Sequence, residues 1–160
     1  MTVLEMSLRQ SKLIYCAFMA GAGSFGIVVL FIVQGGHMPR PAPGGNFEVL
    51  AYVVPAVAAA GFLAMLLIRA VIARKTAAVV AQTREEEVIA AVIAESFLRV
   101  SVLTGVLLEG PALLSTVAAL VTGHLEFLAA TTAGLVALAF MFPTKRLLEG
   151  WARRVSGPGT

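Results

Sequence analysis

The stretch LLEGPALLSTVAALV, residues 107–121, carries one carboxylate, Glu109, inside a run otherwise suited to lipid. An ionised acid at the centre of a membrane helix costs ~2.5–3.5 kcal/mol or more on insertion scales. Glu109 stands about equally far along the chain from Arg99 and Val121, hence near the middle of its run. No Lys, Arg or His falls at that depth, so an ion pair is not available. The side chain is therefore expected to be uncharged and hydrogen-bonded to hydroxyls at similar depth, drawn from Ser24, Thr104, Ser115, Thr116, Thr131 and Thr132. Pro111 adds a second feature, because it has no N–H to donate to the carbonyl of Leu107. Gly110 thins the backbone between them. A carboxyl beside a free carbonyl can hold a proton, a cation or water. Gly21, Gly23, Ser24 and Gly26 lie at matching depth in the first apolar run, and Gly105 lies nearby in the third. Small residues there let two helices approach closely. The ion-binding set is thus Glu109, Gly110, Pro111, Leu107 and Ser24, with Gly21, Gly23, Gly26 and Gly105 as packing residues. The competing expectation is that Glu109 and Pro111 only shape and lock the helix packing.

The segment LLEGPALLSTVAALV resembles the carboxylate helix of the proteolipid (c) subunits of rotary ATPases. That family sets a Glu at mid-membrane, followed by small and aliphatic residues, beside a glycine-rich helix. The resemblance covers about 15 of the 160 residues and implies that Glu109 carries the transported ion. In this chain the glycine-rich GAGSFG lies in the first run, the Ala-rich run before the middle connection contains Pro55, and the acid lies in the third run rather than the last.

Other chemistries find less support. His37 and His124 could converge with Met38, Glu48 and Glu126 as a metal site, although lone loop histidines are more often solvated. The single cysteine, Cys16, excludes an internal disulfide and reads as a buried thiol within an apolar run. There is no phosphate loop, HExxH or CxxC pattern, and GAGSFG does not match the G-x-S-x-G nucleophile turn. Neither a cofactor nor an enzymatic activity is expected, since general acid–base work needs a second positioned group.

The elements that position these residues follow from composition. Of the 160 residues 59% are hydrophobic and 13% charged, and mean hydropathy is +0.91. That is about half the usual charged share, so the bilayer is the solvent to assume. Four apolar runs stand out, at 13–34, 49–68, 100–121 and 125–142. Each is near the roughly 20 residues that cross the hydrocarbon as a helix, the last being short. The first exceeds a signal-peptide core and has no small-x-small site at its end, so it is expected to remain as a span.

Eleven of the twelve basic residues flank one side of these runs, and only Arg40 falls on the other. This bias predicts both termini and the middle connection in the cytoplasm, with 35–48 as a Pro- and Gly-rich outer loop. Basic residues at the ends of apolar runs also argue against nucleic acid as a partner. The connection 70–98 is Ala-rich without Gly or Pro, which predicts a helical hairpin, and Thr83 with Glu86 matches a capping box. Its Val79, Val80, Val88, Ile89, Val92 and Ile93 face each other or a partner. The segment 143–160 predicts a short interfacial helix anchored by Trp151, Lys145, Arg146, Arg153 and Arg154, or else a frayed basic tail. A shift of 84 residues lays Gly21 over Gly105 and Gly26 over Gly110, as two duplicated hairpins would.

The expected fold is therefore all-α: one integral membrane domain, a four-transmembrane-helix bundle with a cytoplasmic hairpin extension. The expected place is the bacterial cytoplasmic membrane. The expected role is non-enzymatic, structural or assembly type, as a homo-oligomer or a subunit of a larger membrane complex. The alternative is a proton or cation carrier using Glu109.

Overall fold

The structure, a computed structural model, describes residues 2–36 and 47–157. These form five helices and no strand among the described residues: α1 Val3–Gln34, α2 Phe47–Gln82, α3 Glu86–Thr122, α4 Phe127–Phe140 and α5 Lys145–Ser156. The first three apolar runs are end segments of longer helices: 13–34 closes α1, 49–68 lies at the start of α2 and 100–121 closes α3. At 1.5 Å per residue the 32, 36 and 37 residues of α1, α2 and α3 reach about 48, 54 and 55 Å, well beyond the roughly 30 Å of hydrocarbon. In the apolar windows of α1 and α2 only 11% and 6% of residues are buried inside the protein, against 44% for α3. α1 and α2 therefore turn most of their greasy side chains outward, as a lipid-facing helix does, and α3 is the enclosed one.

The fourth run forms the shortest helix among the four runs. α4 has only 14 residues, about 21 Å, and is followed by a 71° bend into α5. Three helices are long and apolar enough to cross a membrane, or four if α4 and α5 count as one broken span. Pro143 breaks the helix, and Thr144 restarts it, with extended backbone and a hydroxyl accepting from the Leu147 N–H at 3.3 Å.

One other helix end differs from the sequence expectation. The Thr83 hydroxyl donates to the Val79 carbonyl at 2.9 Å, so it closes α2 rather than opening α3. A reciprocal capping box instead starts α1: Thr2 N–H donates to Glu5 Oε2 at 2.9 Å, and Glu5 N–H donates to Thr2 Oγ1 at 3.3 Å. Of the expected outer loop, Gly35 and Gly36 form a turn, with Gly36 at φ +67°, and Phe47 and Glu48 already belong to α2. Residues 37–46, including His37 and Arg40, lie outside the described residues.

The chain clusters into two compact units, each discontinuous in sequence. Met1–Cys16, Ala64–Thr104 and Phe142–Thr160 make the first; Ala17–Leu63 and Gly105–Met141 make the second. In the first unit, Ile93, Phe97 and Val100 of α3 pack with Leu148, Trp151 and Val155 of α5. These three α5 positions share one helical face. The Trp151 indole N–H donates to Ser96 Oγ at 3.0 Å, and Ser7 Oγ donates to the Ala94 carbonyl at 2.8 Å. Trp151 is 5% exposed. Protein, not the lipid interface, receives its ring, while Lys145, Arg146, Arg153 and Arg154 stay exposed. The hairpin valines divide: Val80, Ile89 and Ile93 join this core, whereas Val79 and Val88 remain exposed. In the second unit, Val29, Val54, Ala118, Ala119 and Phe127 form the core.

Three substitutions at two positions test the first unit. Trp151→Phe keeps an aromatic ring but drops the N–H and the second ring of the indole, so it should cost about 1–3 kcal/mol, and Trp151→Ala about 3–5 kcal/mol, in reversible detergent unfolding. Ser11 is fully buried and its hydroxyl has no partner among the described residues. Ser11→Ala should therefore be neutral or raise stability by about 1 kcal/mol in the same assay.

Candidate functional site

The acid and its neighbours all lie in the second unit. Glu109 projects from α3 toward α1, where a β-carbon built on Gly21 would meet its Oε1 at 3.4 Å. Gly21 is thus the floor under the carboxyl. Glu109 is half-buried and Gly21 is exposed, so the carboxyl lies at the open edge of the contact, not sealed within it. Among the described residues no hydrogen bond reaches it, which departs from the expected hydroxyl partner.

Five of those six hydroxyls are engaged elsewhere, Thr104 being the exception. Ser24 Oγ donates back to the Gly21 carbonyl at 3.1 Å, and Thr132 Oγ1 to the Leu128 carbonyl at 2.9 Å. Ser115, Thr116 and Thr131 converge on the carbonyl of Ala112, at 2.9, 2.9 and 3.2 Å. Thr131 Oγ1 also lies 2.8 Å from Ser115 Oγ and 2.9 Å from Thr116 Oγ1. Each hydroxyl has one proton, so the three share five contacts among three donors. The cluster ties α4 to α3, as interhelical hydroxyls do inside a bilayer.

The carbonyl freed by Pro111 points away from the acid. A β-carbon on Gly61 of α2 would stand 3.0 Å from Leu107 O and 3.6 Å from Pro111 Cγ. Leu107 and Glu109 are two residues apart, roughly 200° around a helix of 3.6 residues per turn. The carboxyl therefore faces α1 while the free carbonyl and the proline ring face α2. Gly110, expected between them as a thinned stretch, has open space where a side chain would stand.

The other glycines play unequal roles. A β-carbon on Gly105 would overlap the Phe18 ring, one on Gly26 would touch Thr131 Cγ2 at 3.6 Å, and one on Gly23 would meet nothing. Gly21 and Gly105, paired in the 84-residue shift, thus accommodate a carboxyl and an aromatic ring. Two close approaches escaped the sequence reading: Gly61, and Gly134 of α4, whose β-carbon would fall 2.8 Å from Ala112 Cβ. The pattern Ala130-x-x-x-Gly134 was the available signal, since paired small residues mark helix contacts.

An apolar groove of about 580 Å³ opens between α2, α3 and α4, lined by Pro55, Ala58, Leu107, Pro111, Ala130 and Gly134 among others. Glu109 is not in its wall. His124 stacks on Phe47 at 4.2 Å between ring centroids, and Phe47 meets Phe127 edge-on at 5.6 Å. His124 thus helps seat the start of α2, and the described residues contain no group of three or more His, Cys, Asp or Glu that could hold a metal ion. Cys16, expected to be buried, is exposed. The chain matches no protein-family profile, no curated protein and no solved structure.

The α3–α4 contact is open to test by two substitutions. Thr131→Val preserves shape and removes the bridging hydroxyl; about 0.6–1.7 kcal/mol should be lost in detergent unfolding. Gly134→Ala adds a methyl against Ala112, which has no flexible atoms to yield, and should cost about 1–3 kcal/mol. If Gly134→Ala unfolds like the native chain, the close approach is wrong.

Proposed function

We propose that the chain is an integral membrane protein that crosses the bilayer four times, α4 with the bend after it making the last crossing. Its termini and the α2–α3 hairpin face the cytoplasm, and its role is non-enzymatic: a subunit that assembles with copies of itself or with a larger membrane complex. The topology draws its support from the eleven-to-one distribution of basic residues and from the outward-facing apolar windows of α1 and α2. The assembly role rests on one observation: a carboxyl in an apolar run, at the open edge over Gly21, without a hydrogen-bond partner among the described residues. An acid so placed is stabilised either by a proton or by groups from another chain. The groove lined by alanines and Gly134 supplies a small-residue surface of the kind membrane helices pack against.

A second reading has the same carboxyl as its basis. The resemblance of residues 107–121 to the proteolipid carboxylate helix, with Glu109 lying over a glycine of another helix, fits a group that binds and releases a proton or cation.

Replacing Glu109 with Gln separates the two. For an assembly subunit, the solubilised protein has a mass that is a multiple of 16.7 kDa, and Glu109→Gln shifts it toward the monomer. A native chain that is monomeric in mild detergent and in nanodiscs overturns self-assembly. For a carrier, proton or cation flux into liposomes is present in the native protein and abolished by Glu109→Gln. Flux that is absent, or unchanged by the substitution, removes that reading.

A further inference from the structure

A second groove, of about 820 Å³, lies in the first unit between α2 and α3. Its chemistry differs from the alanine-lined one. Val71, Val102 and Leu103 form an apolar end, and Lys75 and Arg99 stand in the walls with Glu95 and Ser96. The helices are antiparallel, joined by the short turn at 83–85. Lys75 follows Val71 by four residues and Arg99 precedes Leu103 by four. Counted from that turn at about 1.5 Å per residue, Lys75 stands about 10 Å along α2 and Arg99 about 20 Å along α3, so the two cations lie on opposite walls about 9 Å apart along the groove, with Arg99 nearer the apolar end.

The charges do not cancel. Arg99 pairs with Glu95 one turn away on the same helix, both side chains well exposed. Lys75 is exposed and has no acidic partner among the described residues. The groove thus carries one net positive charge. Val102 and Leu103 belong to the third apolar run, and Val71 follows the second by three residues. One end of the groove adjoins the hydrocarbon, with Arg99 beside that end and Lys75 farther toward the turn.

We propose that this groove binds an anionic phospholipid, its phosphate between Lys75 and Arg99 and an acyl chain along Val71, Val102 and Leu103. A headgroup with one negative charge matches the groove's net charge, whereas a zwitterionic headgroup does not. Basic pockets between membrane helices on the cytoplasmic side hold anionic lipids for this reason, and that leaflet is the anionic one. The proposal rests on the topology proposed above only in placing the hairpin on that side. It is independent of assembly or transport through Glu109.

The chain supplies its own reporter. Trp151 is its single tryptophan, and the indole nitrogen lies 3.0 Å from Ser96 Oγ, a residue of the groove wall. Phosphatidylglycerol brominated on its acyl chains, titrated into the solubilised full-length protein, should quench Trp151 fluorescence at lower concentration than brominated phosphatidylcholine. Lys75→Gln, at an exposed position, should weaken the phosphatidylglycerol half-point about fivefold, the factor for one basic residue at an anionic surface. Equal quenching by both lipids, or no effect of Lys75→Gln, overturns the site. Displacement of the lipid by glycerol phosphate at matched concentration reassigns it to soluble phosphates and overturns the lipid. Disulfide-linked dimers through Val79→Cys in a Cys16→Ser background, formed in place of quenching, assign the groove to a second copy and do the same. Of these outcomes only the second copy bears on mass, and a dimer through this groove persists in Glu109→Gln, whereas one through Glu109 does not; none alters the flux result.

Discussion

Hydroxyl groups in the apolar helices donate to carbonyls three or four residues earlier in their own helix. Ser24 does so to Gly21, Ser96 to Ile93, Ser115 and Thr116 to Ala112, Thr122 to Ala118, and Thr132 to Leu128. In surroundings without water a polar group must find its partner within the protein, and the nearest carbonyl is always one turn back. This constraint governs the second unit. Where two such hydroxyls share the Ala112 carbonyl, a third from α4, Thr131, can join them, and the contact becomes a tie between helices. The near-absence of side-chain bulk at Gly134 lets α4 come close enough for that tie.

The same rule accounts for the setting of Glu109. Each hydroxyl that might have served it is already held within its own helix or in the Ala112 cluster, apart from Thr104, which is buried in the first unit. The carboxyl is left with a glycine floor and an open edge. Pro111 creates a second unsatisfied acceptor only two residues earlier on the helix, at Leu107, yet helical geometry sends it to the opposite side, against Gly61. Two features that look like one site when written in a line are two surfaces in space, one toward α1 and one toward α2.

In the first unit the decisive contact is aromatic. Trp151 brings an amphipathic helix back against α3 and fixes it with one hydrogen bond to Ser96. Ser96 both donates to Ile93 and accepts from the indole, so its proton and one lone pair are engaged. The basic residues of α5 are left on the outward face, where they keep their hydration. Burying Trp151 also places a fluorescent ring next to the groove that Ser96 helps to line.

Composition and charge were enough to establish that the chain is helical, that it has runs fit for lipid, and that α2 and α3 continue beyond the apolar stretches, because hydrophobic length and the lack of Gly or Pro in 70–98 are local properties. The short reach of α4 was also visible as a short run, and Pro143, which has no N–H to donate, stands where the helix breaks. What only the tertiary structure decided depends on direction around a helix and on which neighbour is near. Sequence spacing put Leu107 and Glu109 together, but rotation of about 100° per residue parted them. Amphipathic spacing in α5 fits a lipid interface and a protein core equally well, and the neighbouring Ser96, Phe97 and Val100 chose the core. Gly61 carried no distinguishing pattern and Gly134 only the Ala130-x-x-x-Gly134 spacing, and it is a carbonyl and a methyl from α3, within contact of where their side chains would stand, that single them out.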